Sequence, residues 1–525
     1  MGVSGNLPGV VSIMINRERA LSQAAINASV LTSQHLRDSL GTRTIRGGAV
    51  AVGGQFARFA LQVMGTSVLA HLLAPDQFGL FSIGGAVMAF VGVLTEVNLT
   101  TAAVQRETLD QNTASAMMLL AFAMGCAAFL LSAATIPVAA WFFKDPRLSA
   151  VVLGLGACLP IYGFGALHGA LLARNMRWLD LQIAQLSGLA IGTAVAIAAA
   201  KIFNAGYWAL VIQSWATAIT VTALQWVLCP WRPSRVHDWS GLKPVLRFGL
   251  HMTGSQFLNY FHQQLDNILI GWRWGPVELG FYSRAYNLLT TPLNFISGPL
   301  GSTMVPALSR LNQEPEKWRE AYLDALAVVT FIGAALAGLL YGGVSPLVDI
   351  LLGPHWQPVK LMFSCLILGM FATTPMNTAG WIYISIGRTN RMFQWAMIGV
   401  PVYIASFLIG LPYGAVGVAL CYSISRYIAF FPAFLMAVRD TNITMTDVLA
   451  VIAVPTIAAA ATGWVLSLAV SHLNPWVAVP VLVLGGLVYA AVIAITVLRL
   501  AVYERLRVRG LRMLVPIVAR FNRAK

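Results

Sequence analysis

Apolar runs long enough to cross a bilayer recur about fourteen times along this chain, at roughly 48–70, 78–103, 113–137, 148–172, 181–203, 207–228, 248–271, 281–305, 321–343, 359–385, 392–411, 415–437, 447–470 and 476–498. Each is close to the ~20 residues that a helix needs to span the hydrocarbon core. Lipid offers no partner to a free peptide group, so every one of these runs must be helical. Hydrophobic residues make up 58% of the 525 and charged residues 10%, against roughly 45–50% and about 25% in soluble domains. The sequence therefore predicts an all-α polytopic membrane protein of about fourteen transmembrane helices. No loop between spans is much longer than ~20 residues, which leaves no room for a soluble catalytic domain and argues against an enzyme.

Residues 46–84 are written again at 247–285. At a constant offset of 201, nine of 39 positions are identical: Arg46/Arg247, Gly48/Gly249, Gly53/Gly254, Gln55/Gln256, Phe56/Phe257, Gln62/Gln263, Pro75/Pro276, Gly79/Gly280 and Ser82/Ser283. Each copy starts on a basic residue, runs through an apolar stretch, turns at Pro-x-x-x-Gly and enters a second apolar stretch. Repeats of this kind mark transporters built from two similar halves around a central site. The offset contains an even number of spans, so both copies cross in the same direction, and the halves are related by an axis along the membrane normal. The predicted division is a cytoplasmic N-terminal extension (1–43), a first lobe (44–228), a cytoplasmic linker (229–247), the core of a second lobe (248–437), two further spans (438–498) and a basic cytoplasmic tail (499–525).

An excess of 34 Lys+Arg over 19 Asp+Glu invites a nucleic-acid reading, which the positions of the charges reject. The N-terminal stretch, the even-numbered loops and the tail hold 26 of the basic residues; the odd-numbered loops hold five (Lys144, Arg147, Lys201, Arg273, Lys360) and the spans three. This is the positive-inside rule. It predicts both termini in the cytoplasm and no nucleic-acid partner. The tail, with Arg505, Arg507, Arg509 and Arg512 among Leu and Val, fits a stretch lying on the anionic inner leaflet. Cys126, Cys158, Cys229, Cys365 and Cys421 lack metal-type spacing, so neither a disulfide nor a metal is expected. Near the N-terminus the short apolar run Val10–Ile15 precedes Arg17 and Arg19, the reverse of a signal peptide's order.

Polar residues inside the spans carry the functional argument. Gln55, Arg58 and Gln62 share one stripe of the first span; the repeat puts Gln256, Asn259 and Gln263 on the same stripe of the seventh, and Asp266 continues it. A stripe present in both halves is expected to face the gap between them. The plain alternative is hydrogen bonding to neighbouring helices within one half. Arg58 is harder to explain that way, since a charge near the bilayer centre costs roughly 2.5–3.5 kcal/mol. By depth, Glu96 is placed to pair with Arg58, and Asp266 with Arg284, either as interhelical locks or as transport machinery. Arg426 lies mid-span with no obvious partner, and Asp349 falls in an outer loop where solvent suffices. His71, His168, His251 and His262 make no ligand cluster; His262 neighbours the stripe and has the side chain that titrates near neutrality. Three embedded arginines against two carboxylates, amid amides, suit an anion, above all a phosphate, to which guanidinium offers two parallel donors.

The motifs LLAPDQFGLFSIGGA (72–86), WRPSR in the linker and above all LDNILIGWRWGPVELGFYSRAYNLLTTPLNFISGPLGSTMVPALSRL (265–311) resemble a known family. It is the polysaccharide-transporter branch of the multidrug/oligosaccharidyl-lipid/polysaccharide exporter superfamily, and within it the O-antigen and exopolysaccharide flippases of the colanic-acid-exporter type. The likeness covers about residues 44–440. It implies a V-shaped, two-lobed bundle that moves undecaprenyl-diphosphate-linked oligosaccharide across the bacterial inner membrane by alternating access. No cofactor is implied, but an ion gradient (proton or sodium) is. The resemblance also implies basic residues in a central cavity, for which Arg58, Arg284 and Arg426 are the candidates by position. Gln55, Gln62, Gln256, Asn259, Tyr260 and Gln263 are candidates for the glycan, and Glu96, Asp266 and His262 for coupling or ion pairing. Candidate partners are the lipid-linked oligosaccharide, membrane lipids, a polysaccharide polymerase and glycosyltransferases. The nearest alternative is a multidrug or cation antiporter of the same superfamily; a membrane polysaccharide polymerase fits less well, because large loops are missing.

Overall fold

The computed structural model describes residues 23–32, 40–95, 103–104, 106, 109–239 and 242–499. Their regular structure is helical throughout, and ten helices among them are long and apolar enough to cross a membrane. The described part of every expected span is helical, with short breaks after Gly156 and Met376. The longest element, Lys243–Arg310, is two helices joined at Gly275, whose φ of 80° and ψ of −176° suit a residue without Cβ. Pro276 then opens the next helix, where its missing N–H costs nothing.

Two compact units make up the chain: Met1–Gly65 with Leu80–Gln264, and Thr66–Gly79 with Leu265–Lys525. The boundaries fall in the first span, near the start of the second and in the seventh. Side chains around residues 66–79 explain why that segment goes with the second unit. The Trp356 indole N–H donates to the Ala70 carbonyl at 2.9 Å, and the Phe78 ring meets Trp356 edge-on at 5.4 Å.

In the first unit, Trp178–Phe203 packs along Trp208–Leu228 through small residues on one face, Ala184, Gly188, Gly192, Ala196 and Ala200 among them. The i+4 spacing of these small side chains lets the backbones approach, which is how helices associate where lipid removes the hydrophobic driving force. At the start of Gln111–Phe143, Asp110 caps the helix by accepting from the Thr113 N–H at 2.9 Å. Burial pushes the Asp110 carboxyl up, but the bonds from Thr113 outweigh it and hold the group below the ordinary carboxylate value.

The N-terminal extension contributes a short helix at 23–31 that is built into this unit. Asn27 pairs with both backbone groups of Arg232, donating to its carbonyl at 2.9 Å and accepting from its N–H at 3.0 Å. Gln23 donates to the Pro230 carbonyl, and Asn175 donates to the Val30 carbonyl at the other end. Leu31 joins a buried cluster with Leu109, Met117, Leu171 and the linker's Trp231. From the opposite side, Gln111 also holds the Arg232 carbonyl, while Ser115 and Asn112 accept from the N–H groups of Ser234 and His237. The first ten residues of the linker are thus fixed on this unit.

In the second unit, Pro315–Gly342 packs on Met445–Val470, and both Gln357–Met376 and Thr389–Gly410 pack on Gly414–Val438. The buried hydroxyls of Tyr322 and Thr378 pair at 2.9 Å. Thr444 and Asp447 form a capping box at the start of Met445–Val470, and Arg319 bridges to the same carboxylate at 2.7 Å.

Candidate functional site

A polar cluster lies inside the second unit at Asp266. Its Oδ2 accepts from the Tyr282 hydroxyl at 2.8 Å and its Oδ1 from the Asn267 N–H at 2.8 Å, and only 3% of the residue is exposed. Tyr286, one turn beyond Tyr282, stacks on it at 6.1 Å and meets Tyr422 at 6.4 Å. Tyr422 belongs to Gly414–Val438 and sits one turn before Arg426 on the same face. The Arg426 guanidinium donates to the Tyr422 hydroxyl and lies 4.4 Å over that ring and 4.2 Å over Tyr403, which comes from Thr389–Gly410. Tyr282, Tyr286 and Tyr422 therefore run from a buried carboxylate to a buried guanidinium, which Tyr403 covers from another helix, without a direct ion pair. Such an arrangement costs more to remove piecewise than whole, because each partner left behind stays buried.

Arg284 has a different neighbour from the one expected. Its guanidinium lies 4.6 Å over Phe78, and its Nε is sealed from solvent without a hydrogen-bond partner among the described residues. The Asp266–Arg284 pair does not form. Tyr282 and Arg284 are two residues apart, so they project about 200° apart around their helix; with Tyr282 turned to Asp266, Arg284 must point elsewhere.

The first unit holds the Gln55, Arg58 and Gln62 stripe on Leu40–Leu72. Arg58 and Gln62 are exposed, Gln55 is half-buried, and among the described residues none of them takes a hydrogen bond. Among the described residues no acidic side chain pairs with Arg58, and a guanidinium is poorly suited to lipid. Gln263 is also exposed. Tyr260 is not free for a ligand: it is buried, its hydroxyl donates to the Ala86 carbonyl at 3.2 Å, and its ring packs on Phe90. Glu96 and the side chains of Gln256, Asn259, His251 and His262 lie outside the described residues.

Two further expectations change. Asp349 is not merely solvated; Lys360 and Gln357 both donate to it at 2.9 Å. Arg426, expected without a partner, has tyrosines. The Tyr422–Arg426 spacing of four was readable as a one-turn contact, whereas Tyr403 and Tyr286 come from other helices and gave no local signal. His168 is buried between Trp226 and Trp231, at 4.1 and 5.4 Å, and is a packed core residue.

Comparison with known proteins bears on what this arrangement serves. A family model described as "Polysaccharide biosynthesis protein" matches residues 68–361, more than half of the chain. The chain belongs to that family. Among curated relatives it is 21% identical to the lipopolysaccharide biosynthesis protein WzxC of Escherichia coli K12, over 76% of this chain and 82% of that one. It is likewise 21% identical to the succinoglycan biosynthesis transport protein ExoT of Rhizobium meliloti, over 65% and 69%. Among solved structures, the lipid II flippase MurJ in an inward closed conformation superposes with a TM-score of 0.60 at 13% identity, covering 87% of this chain and 99% of that one. The last likeness shows the fold. This family member is accordingly a multi-pass bacterial membrane protein with a transporter architecture.

Proposed function

We propose that this protein carries oligosaccharide linked to undecaprenyl diphosphate across the bacterial inner membrane, for surface or extracellular polysaccharide biosynthesis. The observation that carries the reading is Arg58: an exposed guanidinium on a helix that also presents half-buried Gln55 and exposed Gln62, in a member of a polysaccharide biosynthesis family. Guanidinium is the side chain that grips a phosphate through two parallel N–H donors. Arg58 takes the diphosphate, and Gln55, Gln62 and Gln263 hydrogen-bond the first sugars. The lipid tail stays in hydrocarbon throughout, so the protein needs a polar path for the head group alone.

Energy comes from an ion gradient, and both termini lie in the cytoplasm as the charge distribution directs. Asp266 is the coupling carboxylate. Its charge balances that of Arg426 through the tyrosine cluster, so neutralising it leaves Arg426 unbalanced and shifts the equilibrium between two arrangements of the same helices. Arg284 and Arg426 are then structural cations of the second unit and do not contact the substrate.

The test is complementation of a deletion strain with full-length variants at matched membrane levels. Losing a phosphate contact to a desolvated charge costs about 2–5 kcal/mol, so Arg58→Ala should abolish surface polymer and leave lipid-linked oligosaccharide in the inner leaflet. Arg58→Lys should keep part of the activity, because the charge survives without the fork. Normal export from Arg58→Ala would remove Arg58 from the substrate path.

A further inference from the structure

The two copies of the internal repeat touch each other at their Pro-x-x-x-Gly turns, and the contact is reciprocal. A Cβ built on Gly79 would stand 1.6 Å from the Pro276 carbonyl oxygen and 2.9 Å from the Gly280 nitrogen. A Cβ on Gly280 would stand 2.0 Å from the Pro75 carbonyl oxygen and 3.3 Å from the Gly79 nitrogen. Exchanging each residue for its mate 201 positions along reproduces the contact, so a local two-fold axis passes between the two glycines. Backbone meets backbone with no side chain between, and any L side chain at either position would hold the turns apart.

Unsatisfied polar atoms surround this crossing. Gln77 and Glu278 are themselves mates in the repeat, each two residues before its glycine. The Gln77 Oε1 and the Glu278 Oε2 are both sealed from solvent without a hydrogen-bond partner among the described residues. So is the Nε of Arg284, whose guanidinium lies on Phe78, the residue before Gly79. Buried polar groups are nearly always paired, and an unpaired one marks a site that holds strain or meets water in another state. Here the same position is unpaired in both copies.

We propose that the Gly79–Gly280 crossing is a seal that must part during transport. The glycines let the two turns close on the local two-fold axis between them, inside the second unit. Gln77 and Glu278 gain water when they separate, which keeps the closed arrangement from being too stable to leave. The loop before Pro75 is odd-numbered, so on the orientation proposed above this is the outer seal. The inference rests on the transport reading and adds the element whose closure it requires.

Its test uses the full-length protein in its own membrane, with a cysteine at exposed Val277 and a membrane-impermeant maleimide added from outside. Gly79→Ala and Gly280→Ala should raise labelling severalfold and abolish export. Gly85→Ala, whose Cβ meets nothing within 4 Å, should change neither. Replacing the orphaned acceptors, Gln77→Leu with Glu278→Met, should act in the opposite direction and lower labelling, since it stabilises the closed crossing. A merely structural role would not move labelling both ways. Independently of whether the glycine variants accumulate, a cleavable bismaleimide tether between Asp76→Cys and Val277→Cys should stop export, and cleavage should restore it. Full tethering with undiminished export would overturn the seal while leaving the transport reading intact. Unaltered polymer export in the deletion strain would instead remove the transport reading itself.

Discussion

The tyrosine cage around Arg426 makes a quantitative prediction. The guanidinium centre lies 4.2 Å from the Tyr403 ring and 4.4 Å from the Tyr422 ring, both inside the ~6 Å range of a cation–π contact. Desolvated contacts of this kind are worth about 2 kcal/mol each. Tyr422 shares a helix with Arg426, so that contact adds little to tertiary structure. Tyr403 belongs to a neighbouring helix, and its contact with Arg426 ties Thr389–Gly410 to Gly414–Val438. A double-mutant cycle of Tyr403→Leu with Arg426→Met isolates this tie. The single effects are hard to foresee, because Arg426→Met also removes a buried charge, a change that is sometimes stabilising. The coupling term is free of that problem and should be about 1.5–2 kcal/mol. Equilibrium unfolding of full-length protein in mild detergent, titrated with a denaturing detergent and followed by tryptophan fluorescence, measures it. A control cycle of Arg426→Met with Tyr322→Phe, whose hydroxyl is engaged with Thr378, should be additive within ~0.5 kcal/mol. Additivity in the Tyr403 cycle as well would refute the cage as an energetic unit.

Other predictions follow from the first unit. Asn27→Ala should expose the linker, since it leaves the Arg232 N–H without its partner in a site where Asn27 itself is 7% exposed. The cost of an unsatisfied buried donor is about 1–3 kcal/mol, and faster tryptic cleavage at the exposed Arg235 would report it. Asp110→Ala should lose about 1 kcal/mol as a helix cap. Because the folded carboxyl titrates below its ordinary value of 3.8, the wild-type advantage is present above that pH and shrinks as pH falls through the folded value. Thermal unfolding of the two proteins across the acid range checks the sign, and a gap that widens toward acid would contradict it.

How much was legible in the sequence depended on whether the signal was local. The spans were readable because each is one apolar run, and an isolated run in lipid has one possible backbone. The repeat was readable from a constant offset, although its physical reason was not: Gly79 and Gly280 are far apart in sequence and meet only in the fold. Gln55, Arg58 and Gln62 lie on one continuous helix, as their spacing requires, but how far each is exposed depends on which neighbours arrive. Depth alone misled for Asp266 and Arg284, because depth says nothing of azimuth, and the tyrosine two residues before Arg284 took the carboxylate. The 23–31 helix was missed for a related reason. It is too short to be stable by itself, and it exists because Asn27 and Leu31 find partners on a linker some two hundred residues away.

The repeat also says what was added to the scaffold. Matched at the same offset, Gly65 and Phe81 of the first copy correspond to Asp266 and Tyr282 of the second. These two differences are one change, since the Tyr282 hydroxyl donates to the Asp266 carboxylate at 2.8 Å. Either alone would leave a buried carboxylate short of a donor or a buried hydroxyl short of an acceptor, about 1–3 kcal/mol in each case. Returning both positions toward the first copy, Asp266→Ala with Tyr282→Phe, should therefore yield a protein at least as stable as the Tyr282→Phe single variant. If Asp266 couples the ion gradient, that stable protein should still fail to export polymer, because nothing remains to be neutralised opposite Arg426. Unfolding in detergent and surface polymer in the complemented deletion strain separate the two effects. A stable double variant that exports normally would make Asp266–Tyr282 an interhelical lock, and the coupling carboxylate would have to be sought elsewhere.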